Sequence, residues 1–338
     1  MKIDFGVRLP NSGPLASLEA MTQVAQEAEA LGYNSAWVHD HIAWTREIHK
    51  THVSSGSSDA LNERQEPTFY ESITTLGYLA ARVEKIRLGL ACLVLPLRNP
   101  IYAAKQLANL DVLSNGRLDI GIGIGSPATL GSREYEIFGI ETKGRGKRAD
   151  EYIEAIKTIW TTDVSSYQGT YVSFNGAEIY PKPLQKPHPP IWVGGWTKPA
   201  AKRTALHGDI WLPAWLTPTE SREGFGEVQL MAKEAGRDDT KLQLGAEVYV
   251  SLSKDPGEAK RTAADTLGGS RGTFERDLTY EGLQTRSLIG SVEEVRKQAE
   301  AYVNAGVTHF ETKFIYSSIP SYLEMMKLFR DEVASSFM

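Results

Sequence analysis

One cysteine, Cys92, is all that the 338 residues contain. A lone thiol excludes an internal disulfide and any CxxC metal knuckle, and it fits a reducing cytoplasm, where the protein is expected to reside. Long apolar runs are missing too. Nowhere do about 18 apolar residues follow one another, so no membrane-spanning helix is expected. The opening MKIDFGVRLPNSG carries one lysine with no uninterrupted apolar stretch behind it, and no secretory leader is expected. A basic block is likewise absent. The 37 Lys and Arg residues are scattered among 42 Asp and Glu, for a formal charge of -5, so a small-molecule partner is expected and a nucleic-acid footprint is not.

What is present is an alternation. With 41% hydrophobic residues the chain can bury a sizeable core, and β-type and helix-type patterns take turns along it. IDFGVRLP is a short β-type run closed by Pro10. Ser17 to Leu31 has apolar residues at helical spacing and stops at Gly32. SAWVHD is the second strand, followed by a polar loop around HVSSGSSDALNERQ and a helix from about Phe69 to Val83. IRLGLACLVLP is apolar enough to be buried on both faces, and the helix IYAAKQLANLDVLS after it ends at Asn115-Gly116. RLDIGIGIG and GKRADEYIEAIKTIW are the next strand and helix.

The second half continues after an interruption between Thr162 and Pro190, where Asn175-Gly176 sits between two β-type runs and reads as a hairpin insertion. PIWVGG, GDIWLPAW, LQLGAEVYVSLS and VTHFETKFI are four more strands, separated by helical stretches from about Lys198, Thr217 and Ser291, with a last helix from about Ile319. Pro256 to Ser287 fits the alternation poorly and is expected to be a further insertion or a mobile lid. Eight strand and helix pairs predict an α/β fold, a (β/α)8 TIM barrel in a single domain over 1–338, with insertions at about 42–66, 162–190 and 256–287. The alternative, a doubly wound open sheet, calls for a Gly-rich phosphate loop in the first unit, and LPNSGP is not one.

In a barrel, the end of each strand faces the catalytic mouth, and SAWVHDHIAW puts His39, Asp40 and His41 there. One reading is a metal held by His39 and His41, as in a metal-dependent barrel hydrolase. It needs further ligands at later strand ends, where His49, His52, His188, His207 and His309 do not fall. A second is a capped strand end. A third is an acid/base site, because an imidazole exchanges protons near neutral pH and Trp44 beside it suits a flat ring ligand. GIGIGS, Gly121 to Ser126, reads either as a small-residue barrel layer or as close backbone approach to a planar or phosphorylated ligand. In VGGWTKPAA, Gly194 and Gly195 open a helix whose first N–H groups could receive a phosphate, with Thr197 and Lys198 beside it. Trp196, Trp211 and Trp215 read as an aromatic pocket or as core.

The segments WVHDHI, EKIRLGLACLVLPLRNPIYAAKQLANLDVLSNGRLDIGIGIG, GKRADEYIEAIKTIW and PPIWVGG, in this order, resemble the luciferase-like monooxygenase superfamily, barrel flavoenzymes that include bacterial luciferase and oxidoreductases dependent on the deazaflavin coenzyme F420. The resemblance implies a flavin-type ring across the mouth, often in a homodimer. Asp40-His41 followed by Trp44 looks like the F420-dependent branch, in which the matching residues surround the redox centre. That branch carries a non-prolyl cis peptide in a bulge of the third strand, and the matching pair here is Ala91-Cys92. Bacterial luciferase has a phosphate-holding Arg where this chain has Ile124, which disfavours FMN of that type. The F420-dependent glucose-6-phosphate dehydrogenases have a Glu proton donor where this chain has Ser126, which puts sugar-phosphate oxidation in doubt.

The expectation is F420-dependent hydride transfer to or from a small organic substrate, with reduced coenzyme supplied by a reductase. His41 is the proton-transfer group, and Asp40 orients it or contacts the ring. Asp40, Trp44, Ala91, Cys92, Gly125, Ser126, Gly194, Gly195 and Thr197 are the cofactor-binding residues, and no metal ligand is expected. The alternative is an FMNH2-dependent monooxygenase using O2 and a partner reductase.

Overall fold

A computed structural model describes residues 2–43, 66, 68–125, 131–267, 282 and 284–337. Eight parallel strands close into a barrel. In order round it they are β1 (Asp4–Arg8), β2 (Ser35–Val38), β3 (Arg87–Val94), β4 (Leu118–Gly123), β7 (Ile191–Gly194), β8 (Ile210–Leu212), β9 (Gln243–Ser253) and β11 (Val307–Phe314), with β11 pairing back to β1. β5 (Ser165–Gln168) and β6 (Ser173–Ala177) form a separate antiparallel hairpin, and β10 (Leu288–Ser291) extends the sheet at the far end of β9.

Helices follow the strands: α1 (Leu18–Ala30), α2 (Ser72–Ala80), α3 (Pro100–Leu113), α4 (Gly131–Ile137), α5 (Arg145–Thr161), α6 (Lys198–His207), α7 (Pro218–Glu234), α8 (Pro256–Leu267), α9 (Val292–Asn304) and α10 (Ile319–Glu332). Several start at short polar side chains that take orphan N–H groups. Asn99 accepts from Ile101 and Tyr102 ahead of α3, and the pairs Thr217–Glu220 and Ser291–Glu294 form capping boxes at α7 and α9. No helix among the described residues is long and apolar enough to cross a membrane.

The barrel interior is filled, and small residues let it fill. Trp37 on β2 points inward between Gly6 on β1 and Gly89 on β3, and a Cβ at either glycine would overlap its ring. Trp192 on β7 meets Trp37 edge-on at 4.8 Å between ring centroids and lies against Gly245 on β9. Removing a buried Trp from such a core costs about 3–5 kcal/mol. This packed layer leaves the C-terminal mouth as the place for a site.

One expectation is corrected. Asn175-Gly176 lies within β6, and the hairpin turns at Gly169–Val172 instead, where the Gly169 N–H donates to Val172 O at 3.0 Å. The cause is a tertiary anchor: the Glu151 carboxylate on α5 accepts from the Tyr171 N–H at 2.8 Å, and a Cβ at Gly169 would overlap it. The segment expected as an insertion or lid from Pro256 begins as the regular helix α8, whose Ala259 and Ala263 are buried. Residues 268–281 and 283 of that segment lie outside the described residues, as does most of the expected 42–66 insertion.

Candidate active site

The three polar residues at the end of β2 go to three different environments. His39 is buried against the loop after β1: its Nε2 lies 3.0 Å from Ser12 Oγ, and its carbonyl accepts from Asn11 Nδ2 at 2.9 Å. Asp40 is buried and gripped. Arg98 donates to both carboxylate oxygens at 2.6 and 2.7 Å, the Ser72 hydroxyl donates at 2.8 Å and the Val94 N–H at 2.9 Å. Arg98 also donates to Glu71 at 3.1 Å. Asp40 therefore ties the end of β2 to the starts of α2 and of the turn after β3, and neither orients His41 by a hydrogen bond nor holds an acceptor oxygen in reserve.

The carboxylate that meets His41 is Glu134, on α4, 93 residues further along the chain. Its Oε2 lies 2.9 Å from His41 Nδ1, and its Oε1 accepts the N–H groups of Ile42 at 2.5 Å and Ala43 at 3.1 Å. Burial pushes the Glu134 carboxyl up, but the bonds from His41, Ala43 and Ile42 outweigh it and hold its pKa below the ordinary value. His41 keeps partial exposure, 14% of its side chain, and lies edge-on to Phe69 at 5.4 Å. Nothing local marks Glu134 in the sequence. The one available signal is that the acid sought beside the fourth strand is absent at Ser126, while the short stretch REYE follows a few residues later.

The third strand carries a bulge. The Ala91–Cys92 peptide is cis, and the pairing with β4 slips between Leu90 and Leu93. The bulge occupies the space over three glycines. A Cβ at Gly121 would overlap the Leu90 carbonyl, one at Gly194 would overlap Cys92 Sγ, and one at Gly123 would come within 3.1 Å of Cys92 Cβ. These glycines make room for protein, which favours the small-residue reading of GIGIGS over close approach of a ligand. Burial, and then the nearby Glu247 charge, push the Cys92 thiol up to about 12. Alongside, Arg8 forks onto Glu311 at 2.5 and 2.8 Å, and Lys313 pairs with Glu247, so two cations and two carboxylates share the upper barrel.

After β7, Gly195 has φ +107, a conformation open to glycine, and it turns the chain from β7 into α6. Thr197 caps α6 with an exposed side chain that makes no capping bond to its own helix. That hydroxyl and the N–H groups of Lys198 and Ala200, with Pro199 between them offering none, form a donor set suited to a phosphate, so the residues present fit a phosphorylated flavin-type cofactor. Gly125, at φ +78, packs near Tyr135, whose hydroxyl donates to the Ile124 carbonyl at 2.9 Å. Trp44 and Ser126 lie outside the described residues.

The three tryptophans separate. Trp211 is core, packed against Gly224 on α7, with its indole N–H on the Gly195 carbonyl at 2.9 Å. Trp215, with φ +62, packs on Tyr249 at 5.0 Å, and Trp196 packs against the same cluster. Among the described residues no group of three His, Cys, Asp or Glu side chains could hold a metal ion.

The family model for luciferase-like monooxygenases matches residues 3–309. The FMNH2-dependent dimethylsulfone monooxygenase of Pseudomonas putida is 30% identical over 236 residues, which cover 67% of this chain and 62% of that protein's length. Among solved structures, monooxygenase RslO1 from Streptomyces bottropensis superposes with TM-score 0.79 at 21% identity, over 99% of this chain and 100% of that one. An F420-dependent secondary alcohol dehydrogenase superposes with TM-score 0.80 at 18% identity, over 98% of each chain. At those identities the two structures share the fold with this chain.

Proposed function

Since this chain belongs to the luciferase-like monooxygenase family, we propose that it is an FMNH2-dependent monooxygenase acting on a small organic substrate, with a separate reductase supplying the reduced flavin. The observation that carries this reading over F420-dependent hydride transfer is the Asp40 clamp: the carboxylate that an F420-type site would place at the ring is committed to Arg98, Ser72 and the Val94 N–H. The relative from Pseudomonas putida, 30% identical, supports the same side by its FMNH2 dependence.

When bound, reduced flavin supplies two electrons and activates dioxygen, so that one oxygen atom enters the substrate and the other leaves as water. The protein orients and excludes. Thr197, Gly195 and the N-terminus of α6 would hold the phosphate, while Gly194 makes room for Cys92. Ala91 and Cys92 would back the ring, and Gly125 would lie toward the cofactor's polar tail. His41, titratable and partly exposed at the mouth, moves the proton that the reaction releases or consumes.

Hydride transfer with F420 is the second reading, favoured by the order Asp40, His41, Trp44 and by Ile124 in place of a phosphate-holding Arg. Fluorescence titration of the protein's tryptophans with FMN and with F420, followed by oxygen uptake with reduced FMN and a panel of small sulfones and amines, separates the two. FMN binding and substrate-dependent oxygen uptake are expected. Tight F420 binding without FMN binding, and no oxygen uptake, would overturn the proposal in favour of the second reading.

A further inference from the structure

We propose that Glu134 is a positioning residue that holds the proton of His41 on Nδ1, so that Nε2 is the nitrogen that exchanges protons at the mouth. The inference deepens the reading of His41 as proton-transfer group and rests on it for its consequence in catalysis, but its geometry stands without any cofactor. A neutral imidazole carries one proton, and the partner of one nitrogen decides what the other can do. Oε2 of Glu134 lies 2.9 Å from Nδ1. An ionised carboxylate accepts only, so the Nδ1 position opposite it must be the donor. Glu134 is held in that state, because its pKa lies below the ordinary value despite burial.

The carboxylate is itself oriented. Its second oxygen takes the Ile42 and Ala43 N–H groups at 2.5 and 3.1 Å, so Glu134 cannot rotate its Oε2 away from His41 without abandoning two backbone donors. Among the described residues, the carboxylate and imidazole next to His41 in the chain are already placed. Asp40 is held by Arg98, which also meets Glu71, and His39 faces Ser12. Phe69 flanks both imidazoles, at 4.7 Å from His39 and 5.4 Å from His41, and limits ring tilt. Three elements of the mouth thus converge on one imidazole orientation.

Glu134→Gln separates the tautomer from the scaffold. The amide oxygen can keep the Ile42 and Ala43 bonds, which leaves the amide NH2 facing Nδ1. A donor there needs a lone pair on Nδ1, so the His41 proton must move to Nε2. Long-range 1H–15N NMR of the 15N-labelled chain at pH above the imidazole range reads this directly, with the His41 signals assigned by their loss in His41→Gln. The expected result is an Nδ1–H imidazole in the wild type and an Nε2–H imidazole in Glu134→Gln. If His41 is Nε2–H in the wild type, or if Glu134→Gln leaves the tautomer unchanged, the proposal is overturned; the wild-type measurement decides even where the variant fails to fold. Once a substrate is in hand, Glu134→Gln is expected to lower kcat about 10²–10⁴-fold with little change in KM. Failure of the functional reading shows elsewhere, as an absence of flavin binding or an unchanged rate in His41→Ala, and leaves the tautomer result intact.

Discussion

Arg98 grips Asp40 through both carboxylate oxygens, at 2.6 and 2.7 Å, in a place where Asp40 is buried and Arg98 nearly so. Burial disfavours the Arg98 charge, but Asp40 and then Glu71 outweigh it and raise its pKa. A bidentate pair with two further donors on the carboxylate is a satisfied network, and removing one partner leaves the other charge stranded.

Arg98→Met is therefore expected to destabilise the protein by about 3–5 kcal/mol. His41→Ala leaves the buried Glu134 carboxylate its two backbone donors, Ile42 and Ala43, and is expected to cost less. Urea unfolding of both variants measures the contrast, and equal midpoints would show that the clamp carries no stability.

Gly89→Ala places a methyl group into the ring of Trp37. Overpacking of this sort costs about 1–3 kcal/mol, and it is expected to be partly relieved when Trp37→Leu is added, although Trp37→Leu alone is destabilising. Additive losses in the double variant, measured by thermal unfolding, would mean that the two residues do not meet as described.

The acid limb of stability should carry the signature of Glu134. Its folded pKa lies below the ordinary value of 4.5, so its contribution is fully present above that pH and is lost as pH falls through the folded value. The stability difference between wild type and Glu134→Gln is expected to be largest at neutral pH and to shrink toward pH 3. Urea midpoints across that range provide the check; a difference that grows on acidification would reverse the sign of the linkage.

Local chemistry made the fold legible. All eight barrel strands appear where short apolar runs end at Gly, Pro or a polar cap, and α3, α7 and α9 begin at Asn, Thr and Ser residues that cap their own N-termini. These signals work because side-chain period and capping act within a few residues. Asn175-Gly176 shows the limit. The dipeptide has the chemistry of a tight turn, yet the chain turns at Gly169–Val172, where Glu151 on another element holds the backbone.

The sequence by itself determined that His39, Asp40 and His41 stand at a strand end facing a barrel mouth, and the family resemblance added Ala91–Cys92 as the place of a cis peptide in the third strand. Only the tertiary structure decided what each of the three does. Asp40 goes to Arg98, His39 to Ser12, and His41 to Glu134, with separations along the chain of 58, 27 and 93 residues. Hydrogen bonds and ion pairs depend on distances of about 3 Å in space, and spacing along the chain carries no record of which strand ends close beside one another once the barrel has formed.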